Sequence, residues 1–186
     1  MASVESPSDV VTETLAEYLK DSIRGLTALS QFPESNHRFK FPTVSLEISP
    51  SGYENYKPYE ASRGNVSSNK STVLYVVGQY NWSIQMDIWH QSKEQAHDLY
   101  QQIVKVLNPD IPTKTGLVLD LEEYHGTKCQ YIATGVETNF GEESSQRKEW
   151  RLMVSMNANH KALLDKEEFI ITQTPEIDFD IPDEIT

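Results

Sequence analysis

Few side chains in this sequence have both the type and the spacing that catalysis or metal binding requires. The five histidines form no H-E-x-x-H pattern, and the nearest metal-like pair is His125 with Cys129. A structural zinc site usually has four clustered ligands, and no second Cys/His pair completes this one. As a nucleophile, Cys129 would need a neighbouring base and an electropositive pocket, yet its flanks are Lys128 and Gln130. We therefore predict neither a metal site nor a cysteine nucleophile.

The acidic side chains and the glycines also lack a catalytic arrangement. Asp120, Glu122 and Glu123 could form an acid/base pair, but Asp120 and Glu122 alternate with leucines and so share the outward face of a predicted strand. The eight glycines are dispersed, and neither phosphate-binding glycine pattern occurs. The sequence thus predicts no catalytic residue, no cofactor-binding residue and no cofactor, and we expect a protein that is not an enzyme.

Composition limits the partners. A formal net charge of −12 over 186 residues argues against a phosphate-binding surface. The aromatic residues Tyr75, Tyr80, Trp82 and Trp89 have no interleaved basic residues for stacking bases, so we expect no nucleic-acid site and assign them to the core or to a protein interface. A single cysteine and the lack of a long apolar run indicate synthesis in the cytoplasm and no membrane span.

Apolar periodicity predicts an α+β domain with a mainly antiparallel sheet and two helices packed on one face. The second helix is the clearest element, because Ser92 opens a capping box in front of a helical apolar pattern. Residues 50–71 are rich in turn formers and predict a long surface loop. The predicted helices are 9–29 and 92–107, and the predicted strands are 43–48, 72–77, 82–88, 117–121, 129–138 and 150–156.

The acidity is concentrated near the C-terminal side of the sequence. Residues 165–186 contain eight acidic groups and one lysine. We therefore divide the chain into a single domain at 1–160 and an extended acidic arm at 161–186. A polar tip at 141–148 lies between the last two predicted strands.

The segment Trp82-Ser-Ile-Gln-Met-Asp-Ile-Trp89, which runs directly into the capped helix, resembles the tail-terminator (tail-completion) proteins of long-tailed bacteriophages. The resemblance covers roughly residues 9–157 and is one of pattern, without an invariant residue set. It implies a subunit that closes with its copies into a hexameric ring. That ring would cap the completed tail tube and join the tail to the head within the virion. The implied partners are further copies, tail tube and sheath proteins, and neck or connector proteins.

Three segments are candidates for protein contacts. The tyrosines of the 50–71 loop are hard to place in a core, although the loop could also fold back on its own domain. The arm alternates apolar and acidic residues, which suits addition as a β-strand to another chain, with pairing to its own sheet left open. The predicted interface residues are Tyr53, Tyr56, Tyr59, Glu142, Arg147, Lys148, Phe169, Ile171, Ile177, Phe179 and Ile181.

Two other functions remain open at this stage. The long 50–71 loop and the acidic arm depart from the simplest tail terminators, so another neck or head-to-tail connector protein is an alternative. An enzymatic or small-ligand domain is a second alternative, and it would need a concave apolar pocket with convergent polar groups.

Overall fold

A computed structural model describes residues 8–33, 40–67, 70–108, 116–121, 127–133 and 149–169. The predicted tip residues Glu142, Arg147 and Lys148 lie outside these ranges. The same holds for Ile171, Ile177, Phe179 and Ile181 of the arm.

The first helix is shorter than predicted. Helix α1 spans Ser8–Ser22 and buries Val11, Leu15 and Leu19. The apolar pattern continues to Leu29, but Gly25 adopts a φ of 80°, a left-handed conformation that glycine reaches without steric cost. This turn ends the helix and leads into strand β1, Thr27–Leu29, which pairs parallel with the next strand.

The other described elements are β2 Thr43–Ser67, β3 Lys70–His90, α2 Lys93–Leu107, β4 Leu117–Leu121, β5 Thr127–Ala133 and β6 Trp150–Phe169. The described strands form one sheet of order β1-β2-β3-β6-β5-β4, and every pairing except β1 with β2 is antiparallel. Alternate residues such as Leu46, Ile84 and Val154 face the helices and form one buried cluster with both of them. The α+β class and the mainly antiparallel sheet are confirmed.

The prediction of a loop at 50–71 is wrong: residues 50–67 form most of strand β2, which pairs with β3 in a long antiparallel hairpin. The two strands predicted at 72–77 and 82–88 are likewise one continuous strand, β3. The register of the β2–β3 pairing shifts between Pro50 and Gly52 and again between Asn55 and Tyr59, so the strand contains irregularities where its turn-forming residues lie. Bulges accommodate such residues without ending the pairing. The largely exposed, polar β2 half of this extension lacks the apolar alternation that identifies a strand.

The last described strand extends beyond its prediction. The sequence predicts this strand at 150–156, but β6 continues to Phe169, which pairs with Lys70, the first residue of β3. Lys161 pairs with Gln79 of the same chain. Residues 161–169 of the predicted arm therefore pair within the sheet of their own chain, and the predicted boundary at 160 falls inside a strand.

The second helix is confirmed, with Ser92 as its N-cap. The Gln95 amide donates a hydrogen bond to Ser92 Oγ at 3.3 Å, and Ala96, Leu99 and Ile103 are buried against the sheet. Among the residues that the structure describes, no helix combines the length and the apolar character that crossing a membrane requires.

Replacing Ser92 by alanine should lower the free energy of unfolding by about 1 kcal/mol, because the first turn of α2 loses a partner for one of its backbone amides. Urea denaturation followed by circular dichroism measures the change. Gln101→Ala, on an exposed position of the same helix, is the control and should shift the midpoint little. Equal losses in both variants would show that the cap does not contribute.

Candidate interaction surface

The three tyrosines predicted as contact residues lie along the hairpin and contact other residues of their own chain. The Tyr53 ring packs on Tyr80 with 4.8 Å between centroids. The Tyr56 hydroxyl donates a hydrogen bond to Gln79 Oε1 at 3.1 Å. Tyr53 and Tyr59 remain 42% and 45% exposed, so much of each ring is available to another molecule. Tyr53 and Tyr56 therefore each turn part of the side chain toward residues of their own chain.

A glycine makes room for the first of these rings. Tyr53 and the Glu54 backbone carbonyl lie where a Cβ on Gly78 would stand. Gly78 lies at the register shift between β3 and β6, opposite Asn55 of β2. Close approach of two strands and an aromatic ring explains the glycine at this position.

We expect Gly78→Ala to lower the free energy of unfolding by about 1–3 kcal/mol, since the added methyl group overlaps the Glu54 carbonyl and must displace backbone. Gly64→Ala is a matched control in the same hairpin, where an added Cβ meets open space. Thermal unfolding of both variants checks the difference. A Gly78→Ala variant as stable as Gly64→Ala would contradict the close packing.

An aromatic cluster with a buried histidine supports the base of the hairpin. Trp82 Nε1 donates a hydrogen bond to His160 Nδ1 at 3.0 Å, and the two ring planes are within 7° of parallel. Tyr80 packs on His160 at 5.0 Å between centroids. Burial lowers the pKa of His160 to about 4. His160 is neutral at physiological pH, and its Nδ1 lone pair is committed to Trp82.

The candidate chemical groups of the sequence are not assembled into a reactive site. Burial raises the pKa of the Cys129 thiol to about 12, so a thiolate nucleophile does not form near neutral pH. Asp120 is exposed and pairs with Lys128 at 3.9 Å. Within the described ranges, no three His, Cys, Asp or Glu side chains are arranged to hold a metal ion. Glu122, Glu123 and His125 lie outside those ranges.

The sheet face opposite the helices carries an open groove of about 750 Å³. Strand pairing places Tyr59, Val76 and Leu163 in one row across its floor. A second row joins Val118 and Gln130 to Asn159. The groove lies where β5 ends its pairing with β6 at His160, between the hairpin and β4. Its lining combines apolar side chains with amides and charged groups.

Two lysines give the groove positive groups in an otherwise acidic protein. Lys161 lies with its ammonium 5.8 Å from the centroid of the Tyr59 ring, and Lys128 lines the same groove. Glu60 is also part of the lining, and Arg63 binds its carboxylate at 2.8 Å. This hydrogen-bonded ion pair lowers the pKa of Glu60. The charge of Glu60 is therefore offset by Arg63, and that of Lys128 is partly offset by Asp120, which lies 3.9 Å from its ammonium. Lys161, whose ammonium lies near the Tyr59 ring, is the lining cation best placed to meet an anionic partner.

At the other end of the same sheet face, an ion pair joins strands β3 and β6. Arg151 Nη2 donates to Asp87 Oδ2 at 2.6 Å, and Asp87 is only 1% exposed. The guanidinium contacts the rings of both Phe32 and Trp89, at 5.0 and 5.1 Å from their centroids, and these two rings also contact each other. Phe32, which follows β1, is thereby tied to the sheet.

The protein-family models and the curated proteins give no match to this chain, so the site is interpreted from its own geometry. The sequence predicted contact residues at Tyr53, Tyr56 and Tyr59, and the structure places all three on one hairpin. Phe169 lies at the end of β6. Sequence reasoning missed Val118, Lys128 and Lys161, because only the strand order brings these distant positions to one groove.

Proposed function

We propose that this chain is a structural assembly protein that closes into a ring of six copies, caps a completed phage tail tube and joins the tail to the head. The observation that carries the proposal is the long hairpin with β6 alongside it, which extends the sheet well beyond the segment that the helices cover. An extension of this length adds little to the subunit's core but offers a large surface to neighbours.

The arrangement of the sheet edges supports a ring. Strand β1 covers only Thr43–Ser45 of β2, and β4 forms the opposite edge of the described sheet. Two different surfaces at opposite edges suit a heterologous contact, in which each subunit uses one surface toward each neighbour. Such contacts close into a ring when the rotation between subunits divides a full turn.

The chemical groups support a non-catalytic role. Cys129 is a buried thiol, His160 is a buried neutral imidazole, and Glu60 is paired with Arg63. None of these has the nucleophile and base partnership that covalent catalysis requires. The expected partners are other copies, the tail tube and sheath, and neck or connector proteins.

The groove favours one alternative, a small-ligand domain, because its volume falls within the range of such sites. Incubation with a metabolite library followed by thermal unfolding separates the two functions. A selective rise in the melting temperature that Val118→Asp abolishes would favour the ligand domain. We expect no such rise.

Electron micrographs of particles assembled with and without this chain test the proposed function. We expect heads and tails to remain separate without it and to join when the chain is restored. Gln101→Ala, which changes an exposed helix position away from the hairpin, should restore joining as well as the original sequence does. Normally joined particles in the absence of the chain would overturn the proposal.

A further inference from the structure

The groove has the size and lining to hold an extended peptide. Val118 is 45% exposed, and Tyr59 and Leu163 add apolar surface beside it. Lys128 and Lys161 stand among these apolar groups. A segment that fits this surface would present apolar residues to the floor and carry a negative charge that the nearby lysines attract.

The sequence that follows β6 has this pattern. Residues 170–186 contain five acidic residues and no basic residue. Ile177, Phe179 and Ile181 alternate with Asp178 and Asp180. In an extended conformation, alternate residues point to opposite sides, so the apolar side chains would face one way and the two aspartates the other. The pattern thus complements the groove in both hydrophobicity and charge.

The point at which this segment leaves the sheet indicates which groove it reaches. Phe169 pairs with Lys70, the first residue of β3, at the end of the sheet remote from the helices. Seventeen residues span at most about 55 Å when extended. A segment that continues in the direction of β6 moves away from its own groove, whereas a return to that groove requires a reversal at the hairpin tip.

We propose that residues 170–186 of one copy bind in the groove of a second copy of this chain. This contact deepens the proposed function and rests on it, because it supplies a link between adjacent subunits of the ring. Each subunit would donate one segment and receive another, which is a heterologous contact compatible with closure. The lysines would steer the acidic segment to the groove, and the apolar side chains would hold it there.

Cross-linking of full-length chains tests the exchange. Val118→Cys is prepared in one sample and Ile177→Cys in another, and the two are mixed and treated with a flexible bis-maleimide. The native Cys129 does not interfere, because it is buried and its thiol pKa is raised. Lys161→Cys provides a second groove position, and Gln101→Cys on α2 is the control outside the groove.

We expect the mixture to yield a covalent dimer of one chain of each kind, about tenfold more than the Gln101→Cys mixture yields. Charge reversal at Lys128 and Lys161 to glutamate should reduce the yield toward that of the control. A yield equal to the control at both groove positions would overturn the inference. A double variant that carries both Val118→Cys and Ile177→Cys in one chain provides a further check. If its cross-link forms only within single chains and never between chains, the inference is also overturned.

Light scattering on the same samples separates this inference from the proposed function. A discrete oligomer without selective cross-linking would overturn the segment exchange and leave the ring intact. Monomers at every concentration, without cross-linking, would count against both.

Discussion

Replacing Arg151 by alanine should lower the free energy of unfolding by about 3 kcal/mol, because it leaves the Asp87 carboxylate buried without its cation. The two side chains meet at 2.6 Å, and Asp87 is 1% exposed. Gln85 Nε2 also donates to Asp87 at 3.1 Å, but an amide does not neutralise the charge. The variant also loses the guanidinium contacts with Phe32 and Trp89.

Urea denaturation of three variants distinguishes the buried charge from ordinary loss of packing. Asp87→Asn/Arg151→Met removes both charges and should recover much of the lost stability, since no uncompensated ion remains. Lys161→Ala removes an exposed cation from the same strand and should change stability by less than about 0.5 kcal/mol. If the double variant is no more stable than Arg151→Ala, the buried carboxylate is not the cause.

His160 should give the protein a pH-dependent stability that is lost on acidification. Burial lowers the pKa of this histidine to about 4 in the folded state, whereas the unfolded chain titrates near 6.5. Below pH 6.5 the unfolded state therefore binds a proton that the folded state does not, and stability falls until the folded state also protonates near pH 4. The stability that depends on a neutral His160 is therefore fully present above pH 6.5. The difference between the two pKa values corresponds to about 3 kcal/mol of unfolding free energy.

The effect is isolated by comparing the original protein with His160→Gln between about pH 7.5 and pH 3.5, a range that includes the pKa of His160 in both the folded and the unfolded state. Glutamine can accept the Trp82 hydrogen bond through its amide oxygen but does not titrate. Carboxylates titrate in both proteins, so their contribution cancels in the difference. We expect the unfolding free energy of the original protein, relative to that of His160→Gln, to decrease as the pH falls. Parallel curves would show that folding does not lower the pKa of His160.

The sequence predicted the elements in which apolar residues follow a regular period. The α2 helix, with its Ser92 cap, and the Leu117–Leu121 strand are confirmed because their buried positions recur at helical or strand spacing. The hairpin was missed because the β2 residues of the extension are largely exposed, so no apolar stripe marks the strand. Its pairing comes from backbone hydrogen bonds to β3, and side-chain pattern does not reveal those.

The site was less predictable than the fold. Tyr53 and Tyr59 could be identified because large aromatic residues among serines and glycines suggest a contact surface. The role of Gly78 could not be identified, since it depends on a ring that packs across the strand from Tyr53. The same limit applies to the Arg151 and Asp87 pair, whose members are 64 residues apart and meet only after β3 and β6 align.

The number and arrangement of copies in a reconstructed particle test the central claim most directly. We expect six copies of this chain around one axis at the end of the tail tube, with the hairpin of each subunit in contact with a neighbouring subunit. The head side of that ring should contact the neck. A reconstruction that contains one copy of the chain, or several copies without rotational symmetry, would contradict the account.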